Sequence, residues 1–419
     1  MKKPDQHLLK IEELEKRIKN TLLAQKEKNS ALFSDYITLC YYISNSNLFS
    51  HNYRAYCFYS GKEMLNNLLQ EINTTYFSLG LWGGFSGLGY LLNLYKEGNE
   101  YQQIILKINS FLKFKAVHLM QAIKSGKEGI LPKYYDLLYG ISCLGNYIIE
   151  FDATDEKFIR FTGEWFSSLV LENQDILFEK FTIPNEKIMN EANKKNYPYG
   201  YIDLSLAHGV LGCLIFLLKA YKKTNSENMK NAVDYILDHY TAFINFSDLM
   251  QFPSILYKDK NNKISWIYNT RNSWCYGILG ALRVLYIGSE QRNKNELKNK
   301  ILKAIEQIGN MKISQYELNC PTFCHGYSGV YRIYDLYAKE NIYSNPLLLD
   351  KLENKIWNYC STDNKYLFQQ VGYDKVNDKP FYSDNTSCQD GAVSIAISYI
   401  LRHGFESYDF FSKALNLII

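Results

Sequence analysis

The sequence contains little of what marks membrane, secreted or nucleic-acid-binding proteins. Its longest apolar stretch, Leu204–Leu218, is interrupted by His208 and two glycines and is too short to span a bilayer. Two lysines open the chain, but acidic residues between Asp5 and Glu15 break any apolar core of a signal peptide. The formal net charge is only +4, without a basic run longer than a pair of lysines, so no nucleic-acid-binding surface is indicated. We therefore expect a cytoplasmic protein.

The chain also contains few prolines, and its cysteines are not regularly spaced. The chain has eight prolines and nine cysteines, and an odd cysteine count with irregular spacing argues against a disulfide framework. In a reducing compartment, the remaining uses of cysteine are burial, catalysis and metal binding. Hydrophobic residues at 47% and charged residues at 21% are ordinary for a globular protein. We expect a single domain over residues 1–419.

Apolar residues recur at helical spacing along most of the chain. Amphipathic stripes occupy Leu8–Leu22, Ile104–Leu119, Leu214–Tyr221 and Leu297–Ile308, and alternating strand patterns are few. These patterns predict an all-α fold. Residues 151–200 are less helical, and we expect a small β-containing insertion there, with a strand over Asp175–Ile183.

The most informative feature is an internal repeat. A short signature that begins with glycine and precedes an apolar helix occurs six times, at intervals of roughly 50 to 70 residues. The first glycines are Gly84, Gly140, Gly209, Gly277, Gly326 and Gly391. Each interval has room for a helical hairpin and its loops. Small residues at i and i+3 would let a neighbouring helix approach closely, and stacked hairpins with long, uneven spacers predict a closed α/α toroid.

Alignment of the six copies on their first glycine brings reactive residues into register. One residue before the glycine stand Gly83, Tyr139, His208, Tyr276, His325 and Asp390. Two residues before it stand Trp82, Leu138, Ala207, Cys275, Cys324 and Gln389. In a ring of equivalent hairpins, equivalent positions converge on the axis, so residues distant in sequence would meet there.

Cys275, Cys324 and His325 form a candidate zinc site. Zinc accepts sulfur and nitrogen ligands tetrahedrally, and a catalytic zinc keeps one position open. A position just before a helix also favours thiolate over thiol. Against this, free cysteine is among the most buried residue types, and the other cysteines of the chain are expected to be inert. Cys320 is a rival ligand that lies outside the register.

Other polar residues near the signatures are candidates for acid–base and electrostatic roles. His208 shares the register and can act as a general acid or base, and Asp136 can orient its imidazole. Arg271, four residues before Cys275, offers permanent positive charge to a developing oxyanion. The simpler interpretations are a capping aspartate and a solvated arginine. Trp274 and Tyr276, which flank Cys275, fit a site wall or the core equally well.

Three segments resemble a known family: Ser205-Leu-Ala-His-Gly209, Arg271-Asn-Ser-Trp-Cys-Tyr-Gly277 and Cys324-His-Gly-Tyr-Ser-Gly329. They look like the motifs of the lanthionine synthetase C-like family, in the family's order, and the likeness runs from about Trp82 to the Gly391 unit. Within the family, the chain resembles the stand-alone class I lantibiotic cyclases. Cys143 and Ser394 depart from the pattern because each replaces the second glycine of its repeat.

The resemblance implies an α/α toroid of seven hairpins with one zinc ion per chain. Cys275, Cys324 and His325 match the family's zinc ligands, His208 and Asp136 its acid–base pair, and Arg271, Trp274 and Tyr276 other residues that line the site. Only six hairpins carry the signature, and residues 31–72 are expected to supply an unmarked seventh.

The implied reaction adds peptide cysteines to dehydroalanine or dehydrobutyrine in a dehydrated lantibiotic precursor and closes lanthionine or methyllanthionine rings. A lantibiotic dehydratase and an ABC exporter at the inner face of the cell membrane are the implied partners.

Three alternatives stay open on the sequence. A relative that binds glutathione or a peptide partner without cyclising it would also use an open zinc site. A prenyltransferase-like toroid presents thiolate on zinc through an Asp, Cys and His ligand set, which the two cysteines in register fit less well. A glycosidase-type toroid needs paired carboxylates, for which Asp136 and Asp390 are the candidates.

Overall fold

The computed structural model of the chain describes residues 5–25, 29–72, 78–124, 130–172, 177–246, 252–374 and 379–419. The chain divides into two compact units, and each is built from three separate segments. The first unit comprises Met1–Ser78, Trp82–Gln102 and Gly309–Phe410. The second comprises Leu79–Leu81, Gln103–Ile308 and Phe411–Ile419.

The first unit consists mainly of helices and one hairpin. Its helices are α1 (Gln6–Ala24), α2 (Ser30–Ser44), α3 (His51–Glu71), α4 (Phe85–Tyr95), α14 (Tyr327–Lys339), α15 (Pro346–Trp357) and α16 (Ala392–His403). Helix α2 packs against α1, α3, α4 and α16, and α14 packs against α15 and α16. Strands β4 (Gln369–Asp374) and β5 (Lys379–Asp384) form an antiparallel pair.

The second unit combines helices with a three-stranded sheet. Its helices are α5 (Gln102–Lys124), α6 (Pro132–Tyr135), α7 (Ile141–Phe151), α8 (Glu156–Leu171), α9 (Glu191–Asn196), α10 (Leu214–Thr224), α11 (Glu227–Phe243), α12 (Ile278–Gln291), α13 (Asn295–Gly309) and α17 (Phe410–Ala414). Helices α7, α8, α10 and α11 pack together, and α12 covers α10 and α11. The antiparallel sheet has the order β1 (Tyr201–Asp203), β2 (Phe252–Lys258) and β3 (Ile264–Asn269).

Among the described residues, seven helices are buried along almost their whole length rather than on one face. They are α2, α4, α7, α10, α12, α14 and α16. A helix that is apolar all round belongs inside a core. Six of the seven follow a signature glycine, and α2, which lacks one, forms with α3 the unmarked hairpin expected over residues 31–72. In the described part of the chain, no helix combines the length and apolar character that a bilayer crossing requires.

The β-structure differs in position from the sequence-based expectation. Within the expected strand over Asp175–Ile183, residues 175–176 lie outside the described part, and the rest forms a turn and a 3₁₀ turn at Glu179–Phe181. Phe178 has a left-handed φ of 59°, which ends any extended run, and only Ile183 forms a bridge, with Tyr201. The hairpins β2–β3 and β4–β5 were missed because β3 and β5 are largely solvent-exposed and carry no apolar alternation.

A buried carboxylate ties α2 to the loop before α16. Asp35 Oδ2 accepts a hydrogen bond from Thr386 Oγ1 (2.8 Å), and Asp35 Oδ1 accepts one from the Cys388 N–H (2.9 Å). Burial raises the pKa of Asp35 from 3.8 to about 6, although these hydrogen bonds oppose the shift. The folded protein therefore binds this proton more tightly than the unfolded chain does.

This shift predicts a pH-dependent stability. Since the pKa of Asp35 is higher in the folded state, the contribution of this group to the free energy of unfolding is largest at acidic pH. This contribution falls as the pH rises from about 4 to 6. The shift corresponds to about 3 kcal/mol. We expect Asp35→Asn to remove this dependence, so that its stability relative to the wild type increases by about that amount between pH 4 and pH 7.

Denaturant unfolding of both proteins at several pH values measures the difference. Asp350→Asn on the exposed face of α15 is the control. A stability difference between Asp35→Asn and the wild type that stays constant with pH would contradict the assignment.

Candidate functional site

The six signature glycines occupy one structural position. Five are the N-cap of the following α-helix, and Gly209 is the N-cap of the 3₁₀ turn Val210–Cys213 that leads into α10; φ lies between −128° and −95° at all six. Any residue adopts such an extended backbone, so the requirement for glycine is steric. A Cβ on Gly209 would lie 2.3 Å from Ser205 N, and one on Gly277 would lie 2.2 Å from Ser273 N. At these positions glycine is therefore needed because its own preceding turn folds back against it, and not for the approach of a neighbouring helix that the spacing had suggested.

Backbone hydrogen bonds connect successive turns within the second unit. Leu137 N–H donates to Ala207 O (3.3 Å), and the N–H groups of Leu206 and Ala207 both donate to Cys275 O (3.1 and 3.3 Å). The turns of the Gly140, Gly209 and Gly277 repeats are thereby joined side by side. Residues that stand two or three positions before their signature glycines therefore lie next to one another in adjacent turns of this unit, as the register predicted.

The same arrangement joins two turns within the first unit. Cys324 N–H donates to Gln389 O with a distance of 3.0 Å. Cys324 and Gln389 both stand two residues before their glycines, and His325 and Asp390 stand one residue before. The turn before α14 therefore faces the turn before α16.

His208 and Asp136 form a close pair in the second unit. His208 Nδ1 lies 2.7 Å from Asp136 Oδ2. The other carboxylate oxygen, Oδ1, accepts hydrogen bonds from the N–H groups of residues 138, 139 and 140 at 2.6–3.1 Å. Asp136 is fully buried, and His208 retains 29% side-chain exposure. Because Nδ1 faces the carboxylate, Nε2 is the ring atom left to exchange a proton with a reactant.

The surroundings of His208 favour its protonated form. Burial by itself would lower the pKa of His208, but the hydrogen bond and charge of Asp136, with the charge of Asp203, raise it overall. The rings of Tyr139 and Tyr276 both lie near the imidazole, each at a centroid distance of 6.2 Å. The protonated form is therefore favoured on a ring that remains partly accessible.

Asp203 is a buried site residue that the sequence analysis missed. Its Oδ2 accepts a hydrogen bond from Tyr276 Oη (3.2 Å), and its Oδ1 accepts one from Ser205 N (2.8 Å). Burial raises the pKa of Asp203. Burial, followed by the charge of Asp203, also raises the pKa of Tyr276. Tyr276 is thus a neutral hydroxyl fixed beside His208. The sequence indicated Asp203 only by its position, six residues before the signature glycine Gly209.

The remaining predicted residues of the second unit have different environments. Cys275 is buried, with its Sγ 3.6 Å from Ser273 Oγ. Arg271 is half-buried, and its backbone N–H donates to Asn269 Oδ1. Trp274 is fully buried, and its indole N–H donates to Leu415 O (3.3 Å). The position of Trp274 is that of a core residue.

Cys324, His325 and Asp390 form a group in the first unit that could hold a metal ion. One ligand atom from each lies within 4.8 Å of the others. His325 Nδ1 is 3.4 Å from Asp390 Oδ1. Tetrahedral zinc separates its ligand atoms by about 3.3–3.8 Å, so small side-chain rotations would close this group on an ion. Sulfur, nitrogen and oxygen are the donors that zinc accepts, and the residues present therefore fit such a metal.

Cys320, the rival ligand, lies near this group but has its own partners. Its Sγ is 3.1 Å from Thr322 Oγ1 and accepts a hydrogen bond from the Val371 N–H at 3.4 Å. Burial would raise the pKa of the Cys320 thiol, but hydrogen bonds with His325, Thr322 and Val371 lower it overall. Cys275 belongs to the second unit and Cys324 to the first, so a zinc ion shared by these two cysteines stays a prediction.

Comparisons with known proteins agree with the resemblance seen in the motifs. Residues 37–383 match the family described as lanthionine synthetase C-like protein. The chain is 24% identical over 274 residues to the nisin biosynthesis protein NisC of Lactococcus lactis subsp. lactis. That alignment covers 62% of each protein, less than two thirds of the relative's length.

The solved structure of nisin cyclase has the same fold. It superimposes with a TM-score of 0.72 at 17% identity and covers 97% of this chain and 96% of that one. This match confirms the predicted fold class, a mostly helical α/α toroid. Because the family match extends over most of the sequence, the chain belongs to the lanthionine synthetase C-like family.

Proposed function

We propose that this protein is a lantibiotic cyclase that adds cysteine thiolates of a dehydrated precursor peptide to dehydroalanine or dehydrobutyrine. The products are lanthionine and methyllanthionine thioether rings. The observation that carries the proposal is the clustering of Cys324, His325 and Asp390 donor atoms in a member of this family. The likeness to nisin cyclase supports the reaction type.

The proposed metal ligands are Cys275, Cys324 and His325, with one zinc ion per chain. Cys275 and Cys324 both stand two residues before an N-cap glycine, and the same position in the turn supports the same role. Three protein ligands leave one coordination position open. Zinc bound there would supply Lewis acidity that favours the thiolate form of the substrate cysteine.

The chain's own residues would manage the proton and the developing charge. The addition forms a carbon–sulfur bond, moves the π electrons of the dehydro residue towards its amide oxygen as an enolate, and ends with a proton on the α-carbon. His208 Nε2 can receive the thiol proton or deliver one to the α-carbon, while Asp136 holds Nδ1. Arg271 and the hydroxyl of Tyr276 are proposed to stabilise the enolate. No atom leaves, so substrate and product have equal mass.

The wider setting is also part of the proposal. The substrate is a precursor whose serines and threonines have already been dehydrated, so a lantibiotic dehydratase must act first. We propose that the protein works in the cytoplasm, at the inner face of the membrane, with that dehydratase and an ABC exporter.

The direct test is incubation of the purified protein with a dehydrated precursor peptide. Each ring closed by the protein removes one free thiol without changing the peptide mass, so alkylation followed by mass spectrometry counts the rings. We expect complete loss of alkylation, much faster than in the same peptide without protein. If the protein only binds glutathione or a peptide, every thiol of the precursor will stay reactive, and this result would refute the cyclase proposal.

One observation favours a second candidate function. The group Cys324, His325 and Asp390 has the Asp, Cys and His composition of a prenyltransferase-like zinc site. Such an enzyme would alkylate a peptide thiol with a prenyl diphosphate and increase the peptide mass. The same mass measurement, with a prenyl diphosphate added, separates the two functions. The glycosidase alternative is disfavoured because both oxygens of Asp136 already have hydrogen-bond partners.

A further inference from the structure

Gln389 is a buried amide that contacts a proposed metal ligand. Only 6% of the surface of Gln389 is exposed to solvent. Gln389 Nε2 lies 3.2 Å from Cys324 Sγ, in the geometry of an N–H donor to sulfur. Its backbone oxygen separately accepts the Cys324 N–H at 3.0 Å. The side-chain contact can therefore be removed without removing the backbone link between the two turns.

The turn that carries Gln389 is held at several points. Gln389 N–H donates to Ser387 Oγ (3.0 Å), and Ser387 N–H donates to Asn385 Oδ1 (2.9 Å). Asp35 accepts hydrogen bonds from two residues of this turn from its place on α2. A side chain on such a fixed turn keeps its direction at little further entropic cost.

The chemistry of the contact depends on the state of the sulfur. A thiolate accepts hydrogen bonds but cannot donate them, and a buried anion without donors is strongly destabilised. An N–H group directed at the thiolate offsets part of that cost and withdraws electron density from sulfur. Partners behind the ligands of a metal site typically change metal affinity or activity 10–100-fold when they are substituted.

The register adds a second argument. Cys275 and Cys324 occupy the position two residues before the N-cap glycine, and Gln389 occupies it in the last repeat. A third cysteine there would be another thiolate. The amide instead supplies an N–H donor, which compensates the negative charge of the two thiolates. A third thiolate would increase that charge.

We propose that Gln389 is a positioning residue of the metal centre, which donates a hydrogen bond to Cys324 Sγ and thereby fixes the direction of this sulfur and its strength as a ligand. The inference rests on the proposed function because it assumes that Cys324 binds zinc.

The test compares Gln389→Leu and Gln389→Glu with the wild type. Leucine removes the donor, and glutamate keeps the size of the side chain but replaces the donor with an acceptor. Gln369→Leu, on the exposed hairpin β4–β5, is the matched control. Zinc affinity is measured by competition with a chelator, and the thiolate-to-cobalt absorption band is recorded after cobalt substitution. Thermal unfolding checks that each variant is folded.

We expect both Gln389 variants to bind zinc about 10–100-fold more weakly and to shift the energy of the cobalt band, with glutamate the more severe. The control should match the wild type. A folded Gln389 variant with wild-type affinity and an unshifted band would overturn the inference while leaving the cyclase proposal intact. Wild-type protein that binds no metal would overturn both. If Gln389→Leu does not fold, Gln389→Glu decides by the same two measurements.

Discussion

Cys275→Ala protein is expected to purify with far less than one zinc per chain and to close no rings. Removal of one of three protein ligands leaves two, which hold zinc weakly and cannot define the open position. Asp390→Asn is expected to retain zinc with an affinity about 10–100-fold lower, because in this scheme the Asp390 carboxylate pairs with His325, 3.4 Å from its Nδ1, rather than binding the ion. The two variants therefore separate the two candidate ligand sets.

Elemental analysis of the purified proteins measures zinc content, and thiol alkylation measures ring closure. Cys213→Ala is the control, since Cys213 is also buried in the second unit and its thiol donates to Val210 O. The opposite pattern, with zinc lost from Asp390→Asn and kept by Cys275→Ala, would assign the ion to Cys324, His325 and Asp390. That ligand set would favour the prenyltransferase-like alternative.

His208→Ala is expected to slow cyclisation about 10²–10⁴-fold without loss of zinc. The residue has no predicted role in metal binding, and its Nε2 is the proton-exchanging atom in the proposed reaction. Asp136→Asn should also slow the reaction, because an amide would no longer fix the Nδ1 proton or favour the protonated ring.

The measurements are single-turnover rates of thiol loss and the zinc content of each variant. His239→Ala is the matched control, because His239 lies in the same unit and its Nδ1 contacts Tyr235 O, with no link to Asp136 among the described contacts. Fully metallated His208→Ala that cyclises at the wild-type rate would remove His208 from the mechanism. Loss of zinc from this variant would instead make His208 part of the metal centre.

Much of the fold could be predicted from local patterns. The amphipathic stripes correctly located α1, α5 and α13, because burial of one face leaves a clear helical period. The apolar pattern over Leu214–Tyr221 also located α10, which is buried almost all round. The glycine signature located the starts of the six buried helices that follow it, although the glycine is required by the preceding turn rather than by helix contact. The exposed hairpins left no comparable pattern, because strands that bury little surface need no apolar alternation.

The candidate site was predictable where the register applied and was missed elsewhere. His208, Cys324 and His325 stand at repeated positions, so alignment of the turns was enough to select them. Asp203 lies earlier in its turn, and its role depends on Tyr276 from another repeat. The contact between Asp390 and His325 likewise joins two turns. Only the folded chain shows such pairs.

Hydrogen bonds between main-chain atoms, such as Leu137 N–H to Ala207 O and Cys324 N–H to Gln389 O, align neighbouring turns whatever their side chains. Residues at the two positions before each glycine can therefore be exchanged without loss of the bonds that align the turns. Tyrosine, histidine and aspartate all occupy the nearer of these positions in this one protein. The main-chain framework can therefore carry different functional side chains at these positions. A substitution in one turn can add a new reactive group while the supporting framework stays the same.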